Sequence, residues 1–389
     1  MIYNTLGKTG LEVSRLGFGT MRLPTKRSNG NIVEEEATKM FEYAIENGIN
    51  LFDTAYPYHN DVLAGSGNCE TFLGEFLKEN SLRDEIILQT KSPSWFIQEK
   101  GDFERFLNSQ LEKLQTDYID IYLLHSLTES LWNKVHGLDV LDFLDDCLSS
   151  GIVKHVGFSA HTELDTLMEI LDEYPKWEVV LTQMNYLDEH YQSGAAGLNH
   201  LKQRNMGTMI MEPLRGGRLV NHIPEEVKVW WEISEVERKP AEWAFQYLWN
   251  RDDVDCVLSG MSSLKQVKEN IKYASKEDVF SEFDREILVE VTRQYKATSL
   301  GNDCTKCGYC MPCPHGVDIP NCLNEYNIAQ MMRDPAASAL QYFSLIDADS
   351  RADSCNVCGE CLPLCTQKLD IPKELQKVFE YFGSEFDHF

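Results

Sequence analysis

Short apolar runs alternate with segments of helical period along most of the chain, from residue 15 to about residue 275. This alternation is typical of repeated strand and helix units built around a parallel sheet. Several runs are apolar at every position, as expected of strands that are covered on both faces. Eight runs are predicted to be strands, at 15–21, 50–55, 86–91, 119–125, 155–160, 179–185, 208–213 and 256–260. Eight units of this kind predict an α/β fold of the (β/α)8 TIM barrel type.

The chain is longer than such a barrel requires. It has 389 residues, whereas one barrel takes about 250 residues. Before the first strand, YNTL and LEVS flank GKTG, which predicts an N-terminal β-hairpin that closes the bottom of the barrel. Residues 281–297 predict one more helix after the eighth unit. We therefore predict two domains, the barrel over 1–295 and a small, mostly helical domain over 296–389.

The formal net charge of −26 narrows the range of partners. A chain of this charge repels phosphate groups, so we expect no nucleic-acid partner and no membrane partner. The first ten residues contain no basic segment followed by an apolar stretch, and no run of eighteen apolar residues occurs in the sequence. We therefore expect a cytoplasmic protein rather than a secreted or membrane-spanning one.

Four polar residues follow consecutive predicted strands at their C-terminal ends, where barrels of this type carry their reactive groups. They are Asp53 and Tyr58 after the second strand, Lys91 at the end of the third, and His125 at the end of the fourth. A lysine held by a carboxylate can stabilise a phenolate, which would let Tyr58 act as a general acid. A neutral His125 could orient and polarise a carbonyl beside the phenol. Each residue alone fits a structural role, but together the four predict an active site that protonates a carbonyl oxygen.

Several segments are similar to those of the aldo-keto reductases over residues 1 to about 275: LGKTGLEVSRLGFGTM, NLFDTAYPYHN, LQTK, YIDIYLLH and VGFSAH. The resemblance implies a (β/α)8 barrel that binds NADPH or NADH across the strand ends. Hydride would then pass from the nicotinamide to the carbonyl carbon of a small-molecule substrate. Asp53, Tyr58, Lys91 and His125 match the catalytic tetrad of that family.

The same resemblance implies cofactor contacts from several strand ends. They are Gly19, Thr20 and Met21 near the nicotinamide ribose, Ser159, Gln183 and Asn185 at the carboxamide, Met211, Pro213 and Leu214 beside the ring, and Ser263, Gln266, Glu269 and Asn270 at the adenosine end. Met211 stands where the family usually carries a stacking aromatic, so a thioether contact is expected instead. Gly260 and Gln266 stand where NADPH-selective members carry basic residues and cannot pair a phosphate dianion, although Lys265 and Lys268 keep NADPH open.

Nine of the twelve cysteines fall after residue 295, and eight of these form two runs. The runs are Cys304, Cys307, Cys310 and Cys313, spaced C-x2-C-x2-C-x2-C, and Cys355, Cys358, Cys361 and Cys365, spaced C-x2-C-x2-C-x3-C. Three thiolates at this spacing bind three corners of a 4Fe-4S cubane, and in two-cluster ferredoxins the fourth cysteine of a run ligates the other cluster. We therefore predict a ferredoxin-like iron–sulfur domain with two 4Fe-4S clusters, in which Cys313 completes the second cluster and Cys365 the first.

Other interpretations of the tail stay open. Two zinc sites are an alternative, although zinc ligands usually come as two separated pairs, and disulfides are disfavoured in a reducing compartment. Cys322, outside both runs, is a spare thiol that could substitute as a ligand. Each run is followed by a similar sequence, VDIP at 317–320 and LDIP at 369–372, which predicts two similar halves.

Three functions are compatible with these features. In the first, the barrel reduces a carbonyl and the clusters relay electrons, with a flavin possible because nicotinamide transfers two electrons and each cubane one. In the second, an ordinary NAD(P)H-dependent reductase carries clusters of structural or sensing role. In the third, an idle barrel supports a module that docks a redox partner protein. Loop aromatics such as Trp95, Trp132 and Tyr186 suggest a pocket for an apolar or ring-bearing carbonyl.

Overall fold

The computed structural model describes residues 1–26, 31–59, 67–221, 223–297, 301–302, 304, 306, 310–332, 335–365 and 367–383. The chain forms two compact units, one of Met1–Leu214 with Ala241–Phe280 and one of Arg215–Pro240 with Ser281–Phe389. The predicted boundary between residues 295 and 296 falls inside a helix of the second unit, Glu282–Ala297. The assignment of domains to 1–295 and 296–389 therefore stays a prediction.

Ten strands and fourteen helices are formed by the described residues. The strands are β1 (Tyr3–Thr5), β2 (Glu12–Ser14), β3 (Leu16–Gly19), β4 (Leu51–Asp53), β5 (Ile87–Ser92), β6 (Ile119–Leu127), β7 (Val153–Ala160), β8 (Val179–Gln183), β9 (Gly207–Met211) and β10 (Cys256–Gly260). The helices are α1 (Glu34–Glu46), α2 (Cys69–Glu79), α3 (Gly101–Leu114), α4 (Glu129–His136), α5 (Val140–Ser150), α6 (Leu164–Glu173), α7 (Gly194–Gln203), α8 (Glu225–Glu232), α9 (Pro240–Trp249), α10 (Leu264–Ala274), α11 (Glu282–Ala297), α12 (Ile319–Met332), α13 (Pro335–Leu345) and α14 (Ile371–Gly383). Among the described residues, no helix is long and apolar enough to cross a membrane.

The strands β3 to β10 close into a barrel in the order β10-β3-β4-β5-β6-β7-β8-β9. Neighbouring strands pair in parallel around the barrel, which confirms the eight predicted strands and the TIM-type fold. Several strands end earlier than predicted. For example, β9 stops at Met211 because the next residue, Glu212, has φ 56°, a left-handed conformation that ends an extended strand. All strand C-termini still meet at one mouth of the barrel.

The side chains of each strand alternate between two apolar layers. On β6, Ile121 and Leu123 lie in a cluster with Leu51, Val179, Met209 and other residues that fill the barrel interior. Tyr122 and Leu124, which point the other way, lie in the larger cluster between the barrel wall and the helices. Both layers are buried, which explains why the strands are apolar at nearly every position.

The predicted hairpin forms, with β1 and β2 antiparallel and Tyr3 opposite Ser14. Leu6, in the turn between them, is fully buried and belongs to the cluster inside the barrel. The next residue, Gly7, has φ 45°, and its N–H donates to the carboxylate of Asp255 at 3.1 Å. The turn therefore closes the N-terminal end of the barrel, as predicted.

This close approach predicts a large difference between two glycines of the turn. A Cβ on Gly7 would lie 2.1 Å from the backbone nitrogen of Gly207, whereas a Cβ on Gly10, which also has positive φ, would meet nothing within 4 Å. We expect Gly7→Ala to lower the free energy of unfolding by more than about 2 kcal/mol and Gly10→Ala by about 1 kcal/mol. Chemical denaturation of both variants measures this; equal losses would mean that the turn does not pack against the barrel floor.

Candidate functional site

Three neighbouring strands bring the predicted reactive residues to the mouth of the barrel. Asp53 is the last residue of β4, Lys91 lies near the end of β5, and His125 lies near the end of β6. Tyr58 follows β4 and is partly exposed. Because parallel strands in register present their ends on one side, these side chains converge.

The ammonium group of Lys91 is the centre of the site, with only 1 % of the residue exposed. Its Nζ donates to Oδ1 of Asp53 at 2.5 Å and to the backbone oxygen of Thr54 at 2.9 Å. It also donates to the phenol oxygen of Tyr58 at 3.2 Å. A single buried cation thus joins a carboxylate and a phenol.

The pKa values at this cation are set by opposing effects. Burial alone would lower the pKa of Lys91, but Asp53 and the hydrogen bonds of the site raise it above its ordinary value, so the ammonium stays charged. Burial raises the pKa of Tyr58, and the charge of Lys91 opposes this rise. The expectation that Lys91 makes Tyr58 a stronger acid is therefore met only in part, because desolvation of the phenolate outweighs the cation in the free protein.

His125 completes the group as a neutral base. Its ring centroid lies 6.1 Å from that of Tyr58 and 4.9 Å from that of Trp95. Burial, together with the charge of Lys91, lowers the pKa of His125 well below its ordinary value. Its Nδ1 is buried and has no hydrogen-bond partner among the described residues. The imidazole is thus uncharged and faces Tyr58.

A buried polar network lies behind β5 and holds the backbone at Lys91. Gln110 of α3 donates from Nε2 to the backbone oxygen of Lys91 at 3.0 Å and to Oε1 of Glu70 at 2.7 Å. Thr90 also donates to Glu70, and Tyr122 donates to Oε1 of Gln110 at 2.9 Å. All of these side chains except Lys91 are fully buried. The network ties α2, α3 and β6 to the strand that carries the cation.

The residues expected near the nicotinamide surround the same mouth. Gly19 ends β3 and pairs in register with Asp53, and the hydroxyl of Thr20 donates to the backbone oxygen of Asp53 at 2.9 Å. Met21, next in the chain, is 53 % exposed. Ser159 is buried at the end of β7 and accepts a hydrogen bond from the backbone N–H of Ser126 at 2.6 Å. Its own hydroxyl hydrogen is available to a ligand.

The ends of β8 and β9 carry the remaining contacts expected around the nicotinamide. Gln183 and Met211 are paired in register at these ends, and Pro213 and Leu214 follow Met211. The amide group of Asn185 donates to Asp188 and to the backbone oxygen of Glu212 and accepts from two backbone N–H groups. It holds the loop after β8, and Nε2 of Gln183 donates to Asp188 of the same loop at 3.2 Å.

The residues expected at the adenosine end lie around the start of α10. Ser263 caps this helix by accepting from the N–H of Gln266 at 3.3 Å, and Oε1 of Gln266 accepts from the N–H of Ser262 at 2.7 Å. Glu269 is partly buried on the same helix, and Asn270 donates to the hydroxyl of Ser259 at 3.2 Å. Ser263 and Gln266 thus lie at the N-terminus of α10, an end that suits a phosphate-bearing ligand, whereas Glu269 and Asn270 lie in the middle of the helix.

Sequence reasoning missed three residues of the mouth. Gln89 donates to Oδ1 of Asp53 at 2.6 Å and is fully buried. Its position two residues before Lys91 on one strand was a usable signal, because such residues share a face. Arg22 lies over Gly260, since a Cβ there would come within 2.7 Å of its side chain. His161 follows β7 directly.

Of the loop aromatics, Trp95 contacts His125, but Trp132 and Tyr186 are buried.

The second unit repeats one local structure after each cysteine run. The helices α12 and α14 begin within VDIP and LDIP. In each case the aspartate accepts from the backbone N–H three residues later, Asp318 from Asn321 and Asp370 from Lys373, both at 3.4 Å. The described part of residues 281–383 contains helices and no strand. The sequence that is repeated after each cysteine run therefore forms a repeated local structure as well.

The turns around the cysteines repeat too. The last cysteine of each run accepts a backbone hydrogen bond from the residue three positions on, which is Gly316 in the first and Lys368 in the second, and both have positive φ. The residues before the second cysteine of each run, Lys306 and Val357, have φ 56° and 62°. These matched left-handed positions show that the two halves share local turn geometry at two places, which supports the predicted similarity of the halves.

Cysteines from both runs meet in one pocket of this unit. It is lined by Cys313 of the first run and by Cys355, Cys358 and Cys361 of the second. Burial raises the pKa of Cys361, and the charges of the other three thiols raise it further. Among the described residues, no group of three or more His, Cys, Asp or Glu side chains is arranged to hold a single metal ion. Cys307 lies outside the described residues.

The other cysteines of the unit differ in their surroundings. Cys304, Cys310 and Cys365 are partly buried against the apolar core of the unit. The Sγ of Cys365 accepts a hydrogen bond from the N–H of Leu369 at 3.4 Å. Cys322 is fully buried within that core, and burial raises its pKa to about 12. Cys322 is therefore a packing residue rather than a spare ligand.

Comparison with known proteins identifies the barrel. The family described as Aldo/keto reductase family matches residues 15–290. L-galactose dehydrogenase of Arabidopsis thaliana is 28 % identical over 310 residues, which cover 74 % of this chain and 92 % of that protein. 6-dehydroglucose reductase of Novosphingobium aromaticivorans is 31 % identical over 227 residues, which cover 56 % of this chain and 71 % of that protein.

A solved structure agrees with these sequence matches. The holo form of aldo-keto reductase AKR11C1 from Bacillus halodurans superposes with a TM-score of 0.62 at 27 % identity. The superposition covers 75 % of this chain and 96 % of that one. The similarity thus accounts for the barrel and leaves about a quarter of this chain without a counterpart there.

The network behind Lys91 predicts a pH-dependent stability. Burial raises the pKa of Glu70, so its contribution to stability is present below the pKa of unfolded Glu, about 4.3, and is lost as the pH rises through the folded pKa. We expect Glu70→Gln, which keeps an oxygen acceptor, to gain stability over the wild type as the pH rises above about 4.3. Glu75→Gln, on the exposed face of α2, is the control and should give a constant difference; urea denaturation from pH 4 to 8 measures both. If the difference in unfolding free energy between Glu70→Gln and the wild type did not change with pH, the pKa of Glu70 would be the same in the folded and the unfolded protein.

Proposed function

The chain belongs to the aldo/keto reductase family and is an oxidoreductase, and on that premise we propose that its barrel reduces a small-molecule carbonyl with NADPH or NADH. The observation that carries this proposal is the buried ammonium of Lys91, shared between Asp53 at 2.5 Å and the phenol of Tyr58 at 3.2 Å. A buried cation beside a phenol at the mouth of the barrel is an arrangement that delivers a proton.

In the proposed reaction, the bound nicotinamide supplies a hydride to the carbonyl carbon, and the protein supplies the proton. As negative charge develops on the carbonyl oxygen, Tyr58 donates its phenolic proton to that oxygen. Lys91 stabilises the phenolate left behind, and Asp53 keeps Lys91 charged and in place. His125, neutral, orients the carbonyl beside Tyr58. The products are an alcohol and the oxidised nicotinamide, and Tyr58 regains its proton from water, so electrons and protons balance.

The residues around the mouth support a nicotinamide cofactor. Ser159 and Gln183 present a hydroxyl and an amide at adjacent strand ends, which suits recognition of a carboxamide. Met211 beside them gives a polarisable surface for the ring. The side chain of Arg22, whose Cγ would lie 2.7 Å from a Cβ on Gly260, carries a further cation besides Lys265 and Lys268, which supports acceptance of the 2′-phosphate of NADPH.

The first test removes the proton donor. We expect Tyr58→Phe to lower kcat for carbonyl reduction by about 10²- to 10⁴-fold, because the transferred proton is lost. Cofactor affinity, measured by quenching of protein fluorescence, should stay close to the wild-type value. Tyr56→Phe is the matched control, since Tyr56 packs against Phe106 and Lys113 outside the group around Lys91. If kcat in Tyr58→Phe equalled the wild-type value, the barrel would have no catalytic role through Tyr58 and would serve as a scaffold.

We further propose that the two cysteine runs hold two 4Fe-4S clusters in a ferredoxin-type arrangement. The pocket lined by Cys313, Cys355, Cys358 and Cys361 supports the crossed assignment, because its fourth thiol comes from the other run. A four-iron cluster holds its thiolates further apart than a single ion does, so thiols that surround a pocket suit a cluster better than zinc. By the repeat of the two halves, Cys365 would join Cys304, Cys307 and Cys310.

When bound, each cluster exchanges one electron, and we propose that the pair relays electrons for the barrel rather than only stabilising the unit. The exposure of Cys358 supports this role, since a cluster held there would lie within reach of an outside electron carrier, such as a redox partner protein. The N–H···S bond to Cys365 is of the kind that tunes the reduction potential of a cluster. An additional flavin remains compatible with the electron count.

The second test addresses the crossed assignment. After anaerobic purification we expect iron and acid-labile sulfide for two clusters, and we expect Cys313→Ser, Cys355→Ser and the double variant each to lose the same half. If each run held its own cluster, the double variant would lose all of the iron. Cys322→Ser should keep the full iron content, because that thiol lies in the apolar core.

The same preparation separates the relay from a structural role. Clusters reduced chemically in the wild type should be reoxidised by oxidised nicotinamide or by the carbonyl substrate in the relay. Clusters that stay reduced in the presence of both would favour an ordinary reductase whose clusters are structural or sensing.

A further inference from the structure

One carbonyl of β5 loses its strand partner at the residue that carries the buried ammonium. The strands β4 and β5 pair in parallel up to Asp53 and Gln89, and the oxygen of Gln89 accepts from the N–H of Thr54 at 2.9 Å. Successive residues of a strand direct their backbone groups to opposite neighbours, so the carbonyl of Lys91, two residues on, points to the β4 side as well. Because β4 ends at Asp53, this buried carbonyl needs a donor from outside the sheet.

A glutamine of α3 is that donor. Nε2 of Gln110 donates to the backbone oxygen of Lys91 at 3.0 Å. This contact fixes the orientation of the amide, because a backbone carbonyl can only accept, so the nitrogen of Gln110 must face it. Oε1 of Gln110 accepts from the hydroxyl of Tyr122 at 2.9 Å. Both ends of the amide are therefore engaged, and the residue is fully buried.

Glu70 of α2 holds Gln110 against β5. Its Oε1 accepts from Nε2 of Gln110 at 2.7 Å and from the hydroxyl of Thr90 at 2.6 Å. Nε2 of Gln110 also lies 3.0 Å from Oγ1 of Thr90. Thr90 and Lys91 are successive residues of a strand, so their side chains point to opposite faces of the barrel wall. The network thus lies behind the wall, and its bond to the carbonyl of Lys91 is made to the residue whose side chain enters the mouth.

The place of the Lys91 backbone decides where its ammonium lies. Nζ donates to Oδ1 of Asp53 at 2.5 Å, to the oxygen of Thr54 at 2.9 Å and to the phenol of Tyr58 at 3.2 Å. All three acceptors lie on β4 or in the chain that follows it, whereas the register between β4 and β5 ends at Gln89. A shift of β5 beyond that point would therefore change all three distances together.

We propose that Gln110 is a positioning residue for the transfer of the proton from Tyr58, because it replaces the missing strand partner at Lys91 and so fixes the distance from the ammonium to the phenol. Gln110 acts through the backbone of Lys91. A catalytic group that is misplaced by about 1 Å can cost about 10²-fold in rate. This inference rests on the proposed carbonyl reduction and deepens it.

The first experiment compares three variants of the full chain, with 4-nitrobenzaldehyde as the carbonyl and NADPH or NADH as the cofactor. Gln110→Met keeps the length of the side chain and removes the amide, whereas Thr90→Val and Tyr122→Phe each remove one hydroxyl and keep the bond to Lys91. We expect Gln110→Met to lower kcat by roughly 10- to 100-fold, with KM for aldehyde and cofactor unchanged. Thr90→Val and Tyr122→Phe should keep the wild-type kcat, although both lower the urea midpoint of unfolding.

Two results of this comparison would overturn the proposal. One is a wild-type kcat in Gln110→Met. The other is a kcat that falls in all three variants in proportion to the urea midpoint, because the network would then act on stability alone. If Gln110→Met does not fold, Gln110→Asn is measured in its place. It keeps an amide in the site but is one methylene too short for the carbonyl of Lys91, and it should lower kcat by about tenfold.

The solvent deuterium isotope effect on kcat identifies the step that Gln110 controls. It should be larger in Gln110→Met than in the wild type, because a displaced ammonium slows the transfer of the proton from Tyr58. An unchanged isotope effect beside a lowered kcat would assign the loss to hydride transfer or to product release, and would refute the positioning role.

A measurement without turnover separates this inference from the proposed function. In protein labelled with nitrogen-15 lysine, the NMR signal of the Lys91 ammonium is assigned by its absence in Lys91→Met. We expect the signal to shift in Gln110→Met and to keep its position in Tyr122→Phe. A wild type that reduces no carbonyl, together with this shift, would refute only the carbonyl reduction. An unshifted signal in Gln110→Met would refute the positioning role, whatever the activity of the wild type.

Discussion

Lys91 is an ammonium group buried in the barrel with 1 % of the residue exposed, and its pairing with Asp53 is the interaction on which the mouth depends. A buried cation without its partner costs about 3–5 kcal/mol, so the carboxylate must be held as firmly as the amine. Gln89 and Gln110 serve this need from two sides, since Gln89 donates to Asp53 and Gln110 fixes the backbone of Lys91. The apolar layers behind them hold both strands in register.

The same charge organises its neighbours through their pKa values. Lys91 opposes the effect of burial on Tyr58, and it adds to the effect of burial on His125. The phenol is therefore kept protonated but beside a cation, and the imidazole is kept neutral. Burial is the larger cause at both groups, and the buried ion opposes it at the phenol and adds to it at the imidazole.

The sequence was sufficient for the barrel because its strands are buried on both faces. The bounds of β10 agree with the prediction over 256–260, and the strand-end rule selected Asp53, Lys91 and His125, which the fold brings together. Interactions that depend on loop conformation could not be predicted from the sequence. Asn185 forms its hydrogen bonds within a turn after β8. Gln192 contacts His161 from a left-handed backbone conformation, which neither residue type predicts.

The pKa shift of Tyr58 could not be predicted from the sequence either. The sequence predicts a lysine near the phenol, but it does not give the degree to which the phenol is buried. In the cysteine-rich unit the opposite held. Spacing alone predicted that the two runs exchange thiols, and one pocket of this unit is lined by Cys313 of the first run and Cys358 of the second. The clusters themselves stay a prediction.

The repeat of the two halves bears on the electron count of the proposed relay. A hydride carries two electrons and one cubane exchanges one, so a single half could not match the chemistry of the barrel, whereas two halves can. With crossed ligands, each proposed cluster takes thiolates from both halves, so neither half can keep its cluster when the other unfolds. Cluster binding would then contribute to the folding free energy of the whole unit. It would stabilise the two matched left-handed turns of a segment that has helices and no strand among its described residues.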